Sequence, residues 1–185
     1  MTKTILFLVG SLRKGSFNRT LANDISRRLV ADGLTTSFAE IGDLPLMNQD
    51  TEFPAPAAVT RLREQVQAAD ALWLVSPEYN EMIPGGLKNA LDWLSRPLTP
   101  GVFGAPDFLQ DLPVALSGAG GRKGARVGLE HLRTLTNFMG LAPLDQMVGV
   151  QVPTAAFMGG DFVLDDQQAA QVAEQVAAVE RVVAV

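Results

Sequence analysis

Apolar residues along this 185-residue chain follow two alternating patterns. Short runs such as residues 5–9 and 71–75 are apolar at every position, which is typical of strands covered on both faces in a parallel sheet. Between these runs, apolar residues recur every three or four positions, as in amphipathic helices. Strands are predicted at residues 5–9, 35–41, 71–75, 114–116 and 147–152. Helices are predicted around Leu21, Ile25 and Leu29, then Val59, Leu62 and Val66, then Leu87, Leu91 and Leu94, then Leu129, Leu132 and Leu135, and finally Val172, Val176 and Val179.

The regular alternation of strand and helix predicts the fold class. It indicates an α/β protein with a doubly wound, five-stranded parallel sheet and helices on both faces. The length fits one domain spanning residues 1–185. In such sheets, ligands bind outside the carboxyl ends of the strands. Three polar, glycine-bearing loops follow predicted strands, at residues 10–18, 76–86 and 117–124, and we expect them to meet at one edge of the sheet.

The first loop has the residue types of a phosphate site. Ser11, Ser16 and Asn18 supply hydroxyl and amide groups, Arg13 supplies positive charge, and the following helix would point its free N–H groups into the turn. A P-loop is excluded because serine stands where lysine is required, and the dinucleotide motif fails because the second glycine comes too late. A terminal monophosphate, held without a metal, remains. The alternative is a polar turn that caps the helix through Ser16 or Asn18.

The second loop offers a place for a flat ring. Pro77, Glu78, Tyr79 and Asn80 combine a rigid proline, an aromatic face and closely spaced backbone N–H groups. Such groups would hold a heteroaromatic ring edge-on, and donors near such a ring tune its reduction potential. The alternative is a capped loop whose tyrosine packs against the protein. The sequence does not separate these two interpretations.

Composition narrows the chemistry. A net charge of -5 and a pI of about 4.8 argue against general affinity for nucleic acid or anionic membrane. The absence of cysteine excludes a thiolate nucleophile, and the single histidine, His131, rules out a His-rich metal site within one chain. We interpret His131 as a surface residue of a helix. With no membrane-length apolar run and no signal-peptide pattern, we expect a cytoplasmic protein that acts without a metal.

Two segments together resemble the signatures of the NAD(P)H-dependent FMN reductases. They are residues 10–18, Gly-Ser-Leu-Arg-Lys-Gly-Ser-Phe-Asn, and residues 77–96, which begin Pro-Glu-Tyr-Asn and continue as Pro-Gly-Gly-Leu-Lys-Asn-Ala-Leu-Asp-Trp-Leu-Ser-Arg. That family includes bacterial quinone, chromate, ferric and azo reductases. The resemblance implies a flavodoxin-like fold, bound FMN, NADH or NADPH as hydride donor, and a homodimer that often pairs into a tetramer.

The resemblance also assigns residues to the flavin. It implies that the FMN phosphate is bound by Ser11, Arg13, Ser16, the backbone of Phe17, and Asn18. The isoalloxazine would lie along Pro77, Glu78, Tyr79 and Asn80, with Ser117 and Gly120 on its other side. Relatives commonly have an apolar residue and a glycine where this chain has Arg122 and Lys123.

The expected activity is that of an oxidoreductase. A hydride would pass from NADH or NADPH through FMN to a quinone or another small acceptor, such as chromate, a ferric complex, an azo compound or free flavin, in ping-pong order. The flavin carries this chemistry, so no catalytic histidine or cysteine is needed; water or Tyr79 would supply a proton. The alternative is a flavodoxin-like electron carrier or redox module without NAD(P)H turnover. The acidic composition fits a carrier, whereas the open third loop favours an enzyme.

Several further residues have two interpretations. Arg96 either compensates the charge at a helix C-terminus or binds an anionic group of the nicotinamide cofactor or of a partner subunit. Arg122 and Lys123 either attract the 2′-phosphate of NADPH or are solvated. Trp73 and Trp93 are interpreted as core or interface residues. Residues 155–158 would line the acceptor entrance or a subunit contact.

Overall fold

A five-stranded, all-parallel β-sheet organises the computed structural model, which describes residues 2–184. The strands are β1 (Thr4–Val9), β2 (Thr35–Phe38), β3 (Ala71–Val75), β4 (Pro113–Gly120) and β5 (Ala142–Gln151). They lie in the order β2-β1-β3-β4-β5, so the chain changes direction across the sheet between β1 and β3. The predicted doubly wound parallel sheet is confirmed, and its switch point lies where ligands bind in such folds.

Helices follow the strands as the apolar spacing predicts. They are α1 (Phe17–Ala31), α2 (Ala57–Gln67), α3 (Gly85–Leu94), α4 (Arg126–Phe138), a short α5 (Thr154–Phe157) and α6 (Asp166–Val183). The sequence pattern did not predict α5. Within residues 2–184, no helix is long and apolar enough to cross a membrane.

The helices cover the sheet from both sides. Along β1, Ile5, Phe7 and Val9 face α1 and α6, whereas Leu6 and Leu8 belong to the cluster formed with α2, α3 and α4. This two-sided burial explains why the strand is apolar at every position. Trp73 and Trp93 are fully buried, which confirms their interpretation as core residues. The exposed position of His131 on α4 is likewise confirmed.

Three strands, β2, β4 and β5, differ in extent from prediction. β2 ends three residues earlier than expected, while β4 and β5 are longer than the segments 114–116 and 147–152. The extension of β4 is the important one, because Gly118, Ala119 and Gly120 pair in parallel with residues 149–151 of β5. Glycine-rich sequence is typical of loops, but here the neighbouring strand holds it extended. Ser117 therefore lies inside β4 and not in a loop.

A buried polar cluster ties α6 to the sheet. The Ser117 hydroxyl accepts a hydrogen bond from Trp73 Nε1 at 2.9 Å and donates one to Gln175 Oε1 at 2.6 Å. The Gln175 amide nitrogen in turn donates to the carbonyls of Leu116 and Gln146, each at 2.9 Å. Because every one of these groups has a partner, the cluster fixes α6 against β3, β4 and β5 without the cost of an unpaired buried polar atom.

Candidate cofactor-binding cleft

A cleft of about 560 Å³ opens at the carboxyl ends of the strands. The three polar loops meet there as predicted, joined by α5 and the residues that follow it. Its lining consists of Ser11, Arg13, Gly15, Ser16, Phe17 and Asn18 from the first loop, Pro77, Glu78 and Tyr79 from the second, Ala119, Gly120 and Gly121 from the end of β4, and Ala156, Phe157, Gly159 and Gly160.

The first loop presents hydrogen-bond donors at one end of the cleft. Gly15 adopts a φ of +67°, which glycine reaches at little cost, and turns the chain into α1. Ser16 caps α1, its hydroxyl oxygen accepting a bond from Arg19 N at 3.3 Å. The predicted cap is therefore present, and the hydroxyl proton can still be donated to a ligand. The backbone N–H groups of Phe17 and Asn18 begin the helix and have no acceptor within it.

Asn18 completes the edge of β4 beyond the end of β3. Its amide donates to Ala119 O at 2.9 Å and accepts from Ala119 N at 2.8 Å. The last residue of β3, Val75, pairs with Ser117, so Ala119 has no β3 partner on that side. The Asn18 side chain takes the place of the missing peptide group and is itself only 3 % exposed. The second proton of this amide has no acceptor within residues 2–184.

Arg13 and an aromatic cluster form the wall beside these donors. The Arg13 guanidinium lies 5.1 Å from the centre of the Phe17 ring. Phe17 packs edge-on against Phe157, with ring centres 5.1 Å apart, and against Phe162 at 5.4 Å. Residues 155–158 were predicted at the acceptor entrance or a subunit contact, whereas Phe157 packs against Phe17 beside the first loop. The sequence signal that could have placed this segment at the cleft was the run of apolar residues directly before Gly159 and Gly160.

The second loop makes a tight turn at the other end of the cleft. Tyr79 and Met82 exchange two backbone hydrogen bonds, of 3.2 and 3.1 Å, around Asn80 and Glu81. Both central residues have positive φ, 54° and 62°, as in a type I′ turn. Asn80 therefore lies at the tip of the turn, outside the cleft lining. Tyr79 is half exposed, and its hydroxyl lies 3.5 Å from Ser11 Oγ.

Glu78 fastens this loop to α4. Its carboxylate accepts a 2.8 Å hydrogen bond from the backbone N–H of Gly128, in the first turn of that helix. This N–H has no partner within its own helix, so Glu78 caps α4 from a distant part of the sequence. The capping fixes the Glu78 backbone, which lines the cleft together with Pro77 and Tyr79.

Ser117 and Gly120, predicted on the far side of the ring, separate in the structure. Gly120 lines the cleft with Ala119 and Gly121. The Ser117 hydroxyl is fully buried and is occupied by Trp73 and Gln175, so it does not reach the cleft. The prediction of Ser117 as a loop residue at the ring is therefore corrected.

Arg96 lies outside the cleft and has a different partner from those predicted. Its guanidinium forms two hydrogen bonds to the buried carboxylate of Glu52, at 2.8 and 3.0 Å. These bonds lower the pKa of Glu52 and raise the pKa of Arg96. The end of α3 is instead compensated by Arg63, which donates to the carbonyls of Trp93 and Arg96. Arg96 therefore fixes the segment around Glu52 against α3.

Lys123 also has a partner that the sequence did not indicate. Its ammonium group forms an ion pair with Glu81, at the tip of the second loop. The pair raises the pKa of Lys123 and lowers that of Glu81. Both Arg122 and Lys123 are exposed, but Lys123 is paired with Glu81 whereas Arg122 forms no salt bridge within residues 2–184. Neither residue lines the cleft itself.

The residues of the cleft suit a flavin mononucleotide. One end combines two hydroxyls, free helical N–H groups and an arginine, which is the donor set for a phosphomonoester dianion. The other end offers the backbone of residues 77–79 and of residues 119–121, which can approach the edge of a flat polar ring. Fold and site together define an α/β protein of the mononucleotide-binding class.

Comparison with known proteins identifies the family. The model of the family described as NADPH-dependent FMN reductase matches residues 3–153. A quinone reductase of Escherichia coli is 39 % identical over 158 residues, which cover 84 % of this chain and 77 % of that protein. A 2-hydroxy-1,4-benzoquinone reductase of a Burkholderia species is 37 % identical over 147 residues, covering 79 % and 76 %. This chain belongs to the NADPH-dependent FMN reductase family.

Solved structures agree with this assignment. FerB, a flavoenzyme NAD(P)H:(acceptor) oxidoreductase from Paracoccus denitrificans, superposes with a TM-score of 0.83 at 30 % identity and covers 98 % of this chain and 97 % of its own. A flavodoxin from Pseudomonas aeruginosa shares the fold, with a TM-score of 0.61 at 18 % identity over 96 % of this chain and 99 % of its own. The protein is an oxidoreductase with a flavodoxin-like fold that uses FMN and NAD(P)H.

Proposed function

We propose that this protein, acting in the cytoplasm, is a quinone reductase that works in ping-pong order with NADH or NADPH as donor. The observation that carries the proposal is the cleft, which has phosphate donors at one end and an open ring-binding end at the other. When bound there, FMN would supply the redox chemistry, taking a hydride from the donor and passing reducing equivalents to the acceptor. Relatives named as quinone and benzoquinone reductases support this acceptor class.

Residues of the first loop, the second loop and the end of β4 would bind and orient the FMN. Ser11, Ser16 and Arg13, with the N–H groups that begin α1, would hold the phosphate, and Asn18 would add its remaining amide proton. The backbone of residues 77–79 and 119–121 would hold the ring edge. Tyr79 stands half exposed at the mouth of the cleft, with its hydroxyl toward Ser11. We propose that it or water supplies the proton that a reduced quinone gains.

The open entrance of the cleft supports reduction of several different acceptors rather than of one specific substrate. Tyr79, in the second loop at the ring end of the cleft, is 50 % exposed, so a planar acceptor would reach the ring from solvent beside it. We therefore extend the proposal to chromate, ferric complexes, azo compounds and free flavin as secondary acceptors. A reduced ring within reach of solvent donates to many oxidants.

The proposal is tested with the purified, flavin-loaded protein under anaerobic conditions. Adding NADH or NADPH is expected to bleach the visible flavin absorbance, and adding a benzoquinone is expected to restore it. Parallel lines in double-reciprocal plots of steady-state rates would support ping-pong order. A flavin that stays oxidised with both donors, or that gives a stable semiquinone without turnover, would instead support the electron-carrier alternative.

Arg13→Ala is expected to weaken FMN binding about 10- to 100-fold, because it removes one charge-assisted contact to the phosphate. The rate of flavin reduction in protein still loaded should change far less, since Arg13 lies at the phosphate end. Titration of apoprotein with FMN measures the dissociation constant. Lys14→Ala is the matched control, because Lys14 is the adjacent exposed cation and does not line the cleft. Equal affinities of the two variants would contradict the assignment of Arg13.

We further propose a homodimer, with dimers able to pair into a tetramer, formed through the face beside the cleft. Two apolar side chains are exposed there, Leu12 at 57 % and Met82 at 54 %, and Leu12 lies close to Gly86 at the start of α3. Sedimentation equilibrium is expected to give a dimer or a tetramer. Met82→Glu should weaken the association, whereas Val30→Glu, at an exposed site on α1, should not. A wild-type monomer at all concentrations would overturn this proposal.

A further inference from the structure

A second hollow, of about 370 Å³, lies on the other side of the turn that follows β4. Three basic side chains line it: Arg122, Lys123 and Arg126. We refer to these three residues and the space between them as the basic hollow. The protein as a whole carries a net charge of -5, so three cations around one hollow run against its overall electrostatic character. Such a cluster favours an anionic ligand.

The basic hollow adjoins the ring end of the cleft. Gly121 lines the cleft and the next residue, Arg122, lines the basic hollow. Glu78, which also lines the cleft, accepts a hydrogen bond from Gly128 N. Gly128 follows Arg126 by two residues in the first turn of α4. A long ligand that starts over the ring end can therefore continue along residues 121–126 into the basic hollow.

Backbone contacts fix the shape of the basic hollow before any ligand binds. Gly124 and Ala125 have φ values of +57° and +60°, so the chain turns sharply into α4. Gly124 also packs directly on β5, because a Cβ at Gly149 would lie only 2.4 Å from Gly124 O. A non-glycine residue with positive φ is energetically costly, so Ala125 is held there by its surroundings. The basic side chains project from a rigid base.

The three cations differ in their availability. Lys123 is already paired with Glu81. Arg122 and Arg126 form no salt bridge with any residue between 2 and 184. Two unpaired guanidinium groups on one rigid turn match a phosphate dianion, which arginine binds through paired N–H donors. The carboxylate of Glu81 competes with such a phosphate for Lys123.

We propose that the basic hollow binds the 2′-phosphate of NADPH and that Glu81 limits the preference for NADPH over NADH. This inference rests on the proposed function, since the nicotinamide must lie over the ring end of the cleft. Arg122 and Arg126 would contact the phosphate, and Lys123 would join them when it leaves Glu81. These residues determine donor specificity and take no part in the hydride transfer.

The test compares two donors on the flavin-loaded protein. In Arg122→Ala with Arg126→Ala, kcat/KM for NADPH is expected to fall about tenfold or more, whereas kcat/KM for NADH should stay within about twofold. Glu81→Gln should raise kcat/KM for NADPH by up to about fivefold, the scale of a broken surface ion pair, with NADH unchanged. Arg27→Ala with Arg61→Ala is the charge-matched control, because it removes two arginines elsewhere that are each paired with an aspartate, Asp24 and Asp43. Calorimetry with adenosine 2′-phosphate gives a readout that is independent of turnover.

The outcomes separate the possible roles of the basic hollow. A selective loss of NADPH activity, together with weaker binding of adenosine 2′-phosphate, supports the proposal. Equal losses for both donors would mean that the arginines contact the shared diphosphate and would overturn it. Unchanged donor constants with an altered oligomeric state would make the hollow a subunit contact and would also overturn it. If neither donor bleaches the wild-type flavin, the proposed function has failed, whereas bleaching with unaltered constants in the variants refutes only this inference.

Discussion

Gly118→Ala is expected to destabilise the protein by about 2–3 kcal/mol and to impair FMN binding. A Cβ at this position would lie 2.3 Å from the backbone oxygen of Ser76 and 3.0 Å from Cβ of Ala125. The Ser76 carbonyl cannot turn away without moving Pro77, which begins the ring-binding loop. The strain would therefore be relieved by displacing one wall of the cleft. Urea unfolding of the apoprotein and titration with FMN measure the two effects.

Gly85→Ala is the control for this substitution. No atom lies within 4 Å of a Cβ built at Gly85, and that residue begins α3, where alanine is favoured. We expect Gly85→Ala to be neutral or stabilising by about 0.4–1 kcal/mol. If Gly118→Ala matched this control in both stability and FMN affinity, the close approach of β4 to Ser76 would not constrain the site.

Asn18→Ala is expected to cost about 2–4 kcal/mol of unfolding free energy, because it leaves the N–H and the carbonyl of Ala119 buried without partners. The end of β4 would then separate from α1, and FMN affinity should fall together with stability. Asn18→Asp distinguishes the two roles of this side chain. It keeps one acceptor for Ala119 N but places a negative charge beside the phosphate site. It should therefore lose more FMN affinity than the alanine variant, and it should recover little stability because its second carboxylate oxygen cannot donate to the Ala119 carbonyl.

Chemical denaturation and FMN titration again provide the measurements. Asn137→Ala, at an exposed position on α4, is the control and should change stability by less than about 0.5 kcal/mol. A stable Asn18→Ala variant with normal flavin affinity would show that β4 does not depend on this side-chain amide.

The sequence predicted those parts of the site that depend on interactions between residues close together in the chain. The apolar run of β1, the turn at Gly15 and the cap at Ser16 follow one another in the chain, so their spacing alone identifies them. Pairings between distant segments gave no such signal. Glu52 and Arg96 are 44 residues apart, and Glu81 and Lys123 are 42 apart. The predicted roles of Arg96 and Lys123 therefore did not take account of the carboxylates, Glu52 and Glu81, with which they form ion pairs.

The glycine-rich end of β4 shows a second limit. Alternation and β-propensity describe strands that are stabilised by side chains, whereas residues 118–120 remain extended because β5 and Asn18 supply hydrogen bonds on either side. Because residues 117–120 were predicted as a loop, Ser117 was assigned to the ring, whereas its side chain lies in the core between Trp73 and Gln175. The bonds between Asn18 and Ala119 were not predicted either, and the expected contact of Asn18 with a phosphate stays a prediction.

The clustering of Gln175 with Ser117 bears on where this protein can be cut. The family match ends at residue 153, so α6 lies beyond it. Removing α6 would take the Gln175 side chain away from the Ser117 hydroxyl and the Leu116 carbonyl, and would expose the apolar residues of one sheet face to water. We therefore expect α6 to be required for the folding of the sheet. A fragment trimmed to residues 3–153, the range that the family model matches, should fail to accumulate as folded protein.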